Sequence, residues 1–285
     1  MEENMKKIIA LVLTLVLAVS FTACGKSDAP ATDSGVQGDK KVLRVGMECA
    51  YAPYNWAQSK DTNGAVPIKD SADFAYGYDV MMAKYLAEKM GCQLEIVKLD
   101  WDSLPLAVQS GKIDCVIAGQ SITSERMETV DFTTPYYYAT IVALTTKDSK
   151  YANAKTLAEL DGATSTSQLN TIWYNICLPQ IPNGKMNPAM ESAPAMLVAL
   201  DSGKVDLVVT DKPTALGAVA VYPDMVALDL SAGDFKVSDE EVNIGISVKK
   251  GNTELLKSLN EGLATLTAED FTKMMDEAIK AAAQS

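Results

Sequence analysis

Two short polar stretches stand where apolar runs stop. Gly119-Gln120-Ser121-Ile122-Thr123-Ser124-Glu125-Arg126 follows the run Lys112 to Ala118, and Asp211 follows Val205 to Thr210. An arginine offers a planar fork that grips a carboxylate bidentately, which a lysine does not match. A serine adds a hydroxyl and a backbone N–H, and an aspartate accepts from a donor-rich group. The chain has no histidine. That removes every Ser-His or Cys-His catalytic arrangement and every His-ligated zinc or copper site. An enzyme built on this sequence would rely on carboxylates, Lys, Tyr or Cys. No catalytic residue, cofactor or metal is expected.

The elements that must position these residues alternate between strands and helices. Leu43 to Met47 reads as a strand, Tyr78 to Met90 as a helix stopped by Gly91, and Gln93 to Leu99 as a second strand. Ser103 to Ser110 reads as a helix closed by Gly111, and Lys112 to Gly119 as a strand of parallel-sheet character. The rhythm predicts an α/β sheet. It recurs with strands at Ile141 to Thr145 and before Gln168, a helix from Ser192 to Ser202, and a strand from Val205 to Thr210. The two halves share a signature: Val108-Gln109-Ser110-Gly111-Lys112-Ile113-Asp114 is echoed by Leu200-Asp201-Ser202-Gly203-Lys204-Val205-Asp206. In open parallel sheets ligands sit beyond the carboxyl ends of the strands, which puts Gly119 to Arg126 and Asp211 at a crevice. A strand from Asn243 to Val248 is expected to return to the first lobe and lead into helices Thr253 to Leu266 and Ala268 to Ala282.

The chain has 285 residues, enough for two domains, and 25 Lys+Arg against 37 Asp+Glu give a net charge of −12. That balance argues against nucleic acid, whose binding depends on basic side chains that neutralise phosphates. At the amino terminus Lys6 and Lys7 precede an apolar run from Ile8 to Val19, then Ser20-Phe21-Thr22-Ala23-Cys24. This reads as a signal peptide over residues 1–23, since the run is well short of the roughly 20 residues of a spanning helix. Residues 24–40, rich in Gly, Ser, Asp, Ala and Pro, read as a flexible tether. Cys49, Cys92, Cys115 and Cys177 lack C-x-x-C spacing; they read as packed thiols, with a Cys49–Cys115 bridge left open.

The Gly-Gln-Ser-Ile-Thr-Ser-Glu-Arg stretch, with Val130-Asp131-Phe132-Thr133-Thr134-Pro135-Tyr136-Tyr137 after it, resembles the amino-acid-binding proteins of ABC importers. This is the polar amino acid class, solute-binding protein family 3, that includes glutamine-, histidine- and lysine/arginine/ornithine-binding proteins. The likeness runs from about residue 41 to 280. It implies a type II periplasmic-binding-protein fold: two α/β lobes, 41–137 with 243–285 and 138–242, joined by a two-strand hinge. It also implies a free amino acid as ligand, a permease with its ATPase as partner, and a monomer. The Thr22-Ala23-Cys24-Gly25 sequence resembles a bacterial lipobox, which implies acylation of Cys24 and a lipid-anchored, extracytoplasmic protein.

The resemblance assigns the site residue by residue. Arg126 and Ser121 would take the α-carboxylate, and the Gly119 carbonyl and Asp211 carboxylate the α-ammonium. Tyr51 and Trp101 would be stacking walls, and Glu48 would meet a donor-bearing ligand side chain, as in Lys, Arg, His or Gln. Gln168-Leu169-Asn170-Thr171 matches the family's Gln-x-Gly-Thr, with Asn170 in place of glycine; Asn tolerates the left-handed backbone better than most residues. Gln168 and Thr171 would contribute from the second lobe. Blander roles stand beside these: a salt bridge to Glu125 or Glu128 for Arg126, a helix N-cap for Asp211, core packing for Tyr51 and Trp101, an exposed loop glutamate for Glu48, and a helix start for Thr171. Residues 57–76 exceed the family's usual length, and Ile244 stands where an aromatic is common. Rival functions are a cyclohexadienyl (prephenate or arogenate) dehydratase-like enzyme on the same fold, with Glu48 as its acid, and a ligand-sensing subunit.

Overall fold

Strand β1, Val42–Met47, buries Leu43, Val45 and Met47 on one face, the period-2 pattern that fixes a strand's register against a core. The computed structural model describes residues 41–230 and 234–284. The signal peptide, Cys24 and the tether lie outside those residues. In chain order the further strands are β2 Ala50–Tyr51, β3 Asn55–Gln58, β4 Val66–Pro67, β5 Phe74–Tyr76, β6 Gln93–Lys98, β7 Cys115–Val116 and β8 Val130–Phe132. They continue with β9 Tyr137–Tyr138, β10 Ile141–Thr146, β11 Thr164–Thr166, β12 Lys185–Met186 and β13 Leu207–Asp211. The last are β14 Met225–Ala227, β15 Asn243–Ile244 and β16 Ser247–Lys249.

Two five-stranded sheets carry the fold. The first has the order β6-β1-β7-β16-β8, and the second β12-β11-β13-β10-β14. β1 runs parallel to β6 and β7, while β16 arrives antiparallel to β7 and β8. The late chain therefore returns to the first sheet, as expected. Between the two sheets runs a short antiparallel ladder of β9 and β15, pairing Tyr138 with Asn243 and Tyr137 with Ile244.

The echoed signature has one physical meaning in both halves. Helix Leu104–Ser110 ends on Gly111 at φ 78°, and Gly203, at φ 70°, follows helix Ala193–Asp201. Left-handed backbone there favours glycine. Four residues after each serine, an aspartate reaches to the neighbouring strand. Asp114 Oδ2 accepts from Arg44 N at 2.8 Å and Asp206 Oδ2 from Thr164 N at 2.8 Å, while the N–H of each aspartate donates back to the same residue's carbonyl. The signature is a device for locking a helix exit onto a parallel strand.

Three expectations are corrected. The strand expected over Lys112 to Gly119 is only Cys115–Val116: Lys112 and Ile113 N–H are held by Ala107 O at the helix end, and Gly119 turns at φ 61°. The strand expected over Asn243 to Val248 is broken at Gly245, whose N–H donates to Gln120 O, so β15 and β16 serve different partners. Third, Cys92 is half-buried rather than buried; all four described cysteines are free, with Cys49, Cys115 and Cys177 buried. The 57–76 stretch builds most of a small sheet, β2-β3-β5-β4, in which Trp56 meets Tyr76 edge-on at 5.2 Å and packs with Ala282 of the C-terminal helix Ala268–Ala282.

Candidate functional site

The turn after β7 leaves the first sheet with its backbone groups already engaged. Gly119 N–H donates to Tyr136 Oη at 3.1 Å, and a Cβ at Gly119 would lie 2.8 Å from the Tyr51 ring. Glycine is required twice over there, by its φ and by the close approach. Thr123 caps the short helix Ser124–Met127 by accepting from Arg126 N, which aims the Arg126 side chain back across the turn. Its guanidinium donates to Ser121 O at 2.7 Å and to Asn170 O at 2.7 Å, and sits 5.4 Å from the Trp101 ring centroid. Among the described residues Arg126 forms no ion pair, with Glu125, Glu128 or any other carboxylate. Loss of water lowers its pKa to about 10, so it remains charged at neutral pH. A guanidinium has five N–H donors, and the two bonds to carbonyls leave others for an anion.

The loop after β1 supplies the opposite pole. Glu48 is buried, not an exposed loop glutamate; its Oε2 accepts from Gln168 Nε2 at 3.0 Å and its Oε1 has no partner. Burial pushes its carboxyl up to about 7, against the pull of the Gln168 bond. Tyr51 stacks on Tyr54 with centroids 4.8 Å apart and planes 10° from parallel. Tyr54 belongs to the core, with its hydroxyl unpartnered. Trp101, on the 3-10 turn Trp101–Ser103, donates its indole N–H to Leu169 O at 3.1 Å.

The second-sheet side meets these groups directly. Asn170 sits at φ 54°, so the turn that glycine would favour survives with asparagine. The Thr171 hydroxyl donates to Gln168 O at 2.6 Å and accepts from Tyr174 N, bracing its own turn. Asp211 is the N-cap of helix Lys212–Val221. It accepts from Thr214 N and from the Thr214 hydroxyl, and also takes a close bond from the Tyr51 hydroxyl. Burial raises its pKa, and those bonds offset only part of the rise. Hydrogen bonds from Arg126, Trp101, Gln168 and Tyr51 thus cross between residues of the first- and second-sheet segments.

A tight cavity of about 10 Å³, room for about one water molecule, lies between them, lined by Glu48, Tyr51, Trp101, Gly119, Ser121, Arg126, Gln168, Thr171 and Trp173. It is far smaller than a ligand pocket, so the two sides must part to admit an amino acid. Eight of the nine expected binding residues line it; the ninth, Asp211, stands behind Tyr51. Trp173 escaped the sequence reading, although it is an aromatic two residues past Thr171, on the π-helical turn Trp173–Cys177. A larger, open groove of about 600 Å³ at the amino end of β1, along Val42, Lys89 and Glu261, has no aromatic lining.

The model of the bacterial extracellular solute-binding proteins, family 3, matches residues 43–280. The chain belongs to that family. It is 29% identical to the probable histidine-binding protein of Neisseria gonorrhoeae over 270 residues, covering 91% of this chain and 90% of the relative. It is 28% identical to the L-cystine-binding protein TcyJ of Escherichia coli (strain K12), covering 92% of each. Among solved structures it is similar to the amino acid ABC transporter substrate-binding protein AbpA from Streptococcus pneumoniae Canada MDR_19A bound to L-arginine. That match has a TM-score of 0.73 at 25% identity, over 86% of this chain and 97% of the other. The fold is the type II periplasmic-binding-protein fold, and this family member is an extracytoplasmic solute-binding protein rather than an enzyme.

Proposed function

We propose that this solute-binding protein captures a free polar or basic amino acid and delivers it to an ABC permease with its ATPase. The observation that carries the reading is the unpaired guanidinium of Arg126 at one pole of a small aromatic cavity, with the unpartnered Glu48 Oε1 at another. A zwitterion with a donor-bearing side chain satisfies both: its carboxylate takes the Arg126 fork, and its side chain meets Glu48. The histidine- and cystine-binding names of its relatives, and the L-arginine bound in a similar solved structure, agree with an amino acid of this kind.

In this reading residues 41–137 with 243–285 form one lobe, 138–242 the other, and β9 and β15 the hinge. Ligand settles on Arg126, Ser121, Gly119 and Glu48, and closure brings in Gln168, Thr171 and Asp211. Asp211, behind Tyr51, then acts on the ammonium after Tyr51 yields its bond or through the Tyr51 hydroxyl. Tyr51, Trp101 and Trp173 exclude water. The protein is a monomer exported by residues 1–23 and anchored by a lipid on Cys24.

Calorimetric titration with L-arginine and with L-argininamide, then the same pair for L-histidine, tests the ligand class. Binding of an amino acid with loss of most affinity for its amide is expected; equal binding of acid and amide would sink the carboxylate role of Arg126. For the anchor, Cys24→Ala should move the protein from the detergent phase to the aqueous phase in Triton X-114 partition, and an unchanged distribution would refute it.

A further inference from the structure

We propose that Asp79 is a positioning residue of the binding site: its carboxylate ties the loop carrying Glu48 and the turn at Gly119 to the same helix through two hydrogen-bonded arms. Asp79 is fully buried in the first turn of helix Tyr78–Lys89. In one arm Asp79 Oδ1 accepts from the Tyr136 hydroxyl at 2.7 Å, and Tyr136 Oη in turn accepts from Gly119 N–H at 3.1 Å. In the other, Asp79 Oδ2 accepts from Asn55 Nδ2 at 2.8 Å, and Asn55 Oδ1 accepts from Cys49 N–H at 2.8 Å.

The direction of both arms is fixed at their far ends, because a backbone N–H can only donate. The single Tyr136 hydroxyl proton therefore points to Asp79, and so does the Asn55 amide group. Position 79 must accept on both sides, which an ionised aspartate does and an asparagine does not. Both far ends are also conformationally demanding: Cys49 is a non-glycine residue at φ 52° and Gly119 lies at φ 61°. Left-handed backbone at a residue with a side chain persists where its surroundings over-determine it. The helix start adds a third tie, since Tyr78 N and Asp79 N donate to Pro53 O and Tyr54 O in the loop that presents Tyr51. Burial pushes the Asp79 carboxyl up to about 7, so the group is costly to keep ionised. A well-packed apolar side chain would serve stability alone; the carboxylate serves geometry.

The inference rests on the cavity being the ligand site, and its test separates the two. Asp79→Asn, Asn55→Asp and the double swap carrying both changes would be compared with wild type. The readouts are amide hydrogen exchange at Cys49 and Gly119 without ligand, and affinity for L-arginine, L-histidine, L-glutamine and L-cystine. Asp79→Asn sets donor against donor in one arm, so one of the two amides exchanges at least about tenfold faster and affinity falls about tenfold. The swap reverses only the inner bond: the new amide at position 79 donates to the new carboxylate at position 55 and accepts from Tyr136, while that carboxylate still accepts from Cys49 N–H. It restores slow exchange and affinity to within about threefold of wild type. Tyr136→Phe should expose Gly119 and leave Cys49 protected, which decides the matter should Asp79→Asn fail to fold. Unchanged exchange and affinity in Asp79→Asn, a swap no better than the single change, or equal loss of both amides in Tyr136→Phe would overturn the proposal. Should wild type bind none of the four amino acids, the ligand reading falls while the exchange data still decide the network.

Discussion

On the first-sheet side of the cavity, Gly119 and the Glu48 loop are held from behind by Tyr136, Asn55 and Asp79, and Arg126 and Glu48 are left with hydrogen-bonding capacity facing the cavity. On the second-sheet side the polar groups are already engaged: Thr171 with Gln168 O, Gln168 with Glu48, and Asp211 with Thr214 and Tyr51. In the proposed reading the contrast is one between a receptor built in advance on one side and a clasp on the other. Variants on the first side should then cost the most affinity, whereas variants on the second should cost less, through looser closure.

Arg126→Ala should have the largest effect, lowering affinity by more than about tenfold, since truncating one partner of a desolvated charge pair costs about 2–5 kcal/mol. Arg126→Lys should not restore it, because the ammonium cannot form the bidentate fork. Titration calorimetry reads both, and wild-type affinity in either would break the contrast on its strong side. Asp211→Asn should also lose more than about tenfold while circular dichroism stays native. The competing role, a cap alone, would instead cost about 1 kcal/mol of stability and leave affinity unchanged.

The Glu48 carboxyl, raised to about 7 by burial, makes the contrast sensitive to pH. A cationic ligand side chain favours the ionised form, so binding near pH 7 releases a proton and affinity falls as pH drops from 7.5 to 5.5, by up to about tenfold per unit. Titrations in buffers of different ionisation heat measure that proton, and Glu48→Gln should remove it. Without ligand the sign reverses. An unfolded chain ionises Glu48 near 4.5, whereas the folded protein keeps its proton to about 7. The stabilisation from the Glu48 proton is complete below the unfolded pKa and is lost as pH rises to 7, by at most about 1.4 kcal/mol per unit. Tm of ligand-free protein should therefore fall from pH 5 to pH 7.5, less steeply in Glu48→Gln. The smallest effect is expected at Gln168→Ala, where one hydrogen bond to Glu48 is lost and affinity drops about threefold.

Local pattern carried much of this architecture. The alternation in Val42–Met47 and the glycine stops after two helices act within a few residues of themselves, which makes them readable in a linear chain; the Ser-Gly-Lys-x-Asp repeat was readable as a repeat, but its aspartates bond strands 70 and 42 residues away. The arginine motif was equally legible, with Trp101 and the Gln168 turn beside it. What escaped depends on contacts between distant segments. Asp79 looks like an ordinary acidic residue in a helix's first turn until Asn55 and Tyr136 are brought to it. The retreat of Asp211 behind Tyr51 joins residues 160 positions apart. β7 is short because the preceding helix end captures two of its expected N–H groups, a competition no alternation of side chains records.

The central claim, that the cavity takes a free amino acid, is tested most directly by thermal shift. Residues 25–285, stripped of ligand by unfolding and refolding, would be screened against all twenty amino acids, prephenate and arogenate. One or a few polar or basic amino acids should raise the transition sharply, since binding to the native state alone stabilises by about 4 kcal/mol at roughly 1,000 times Kd. No shift with any amino acid, together with turnover of prephenate or arogenate, would contradict the account.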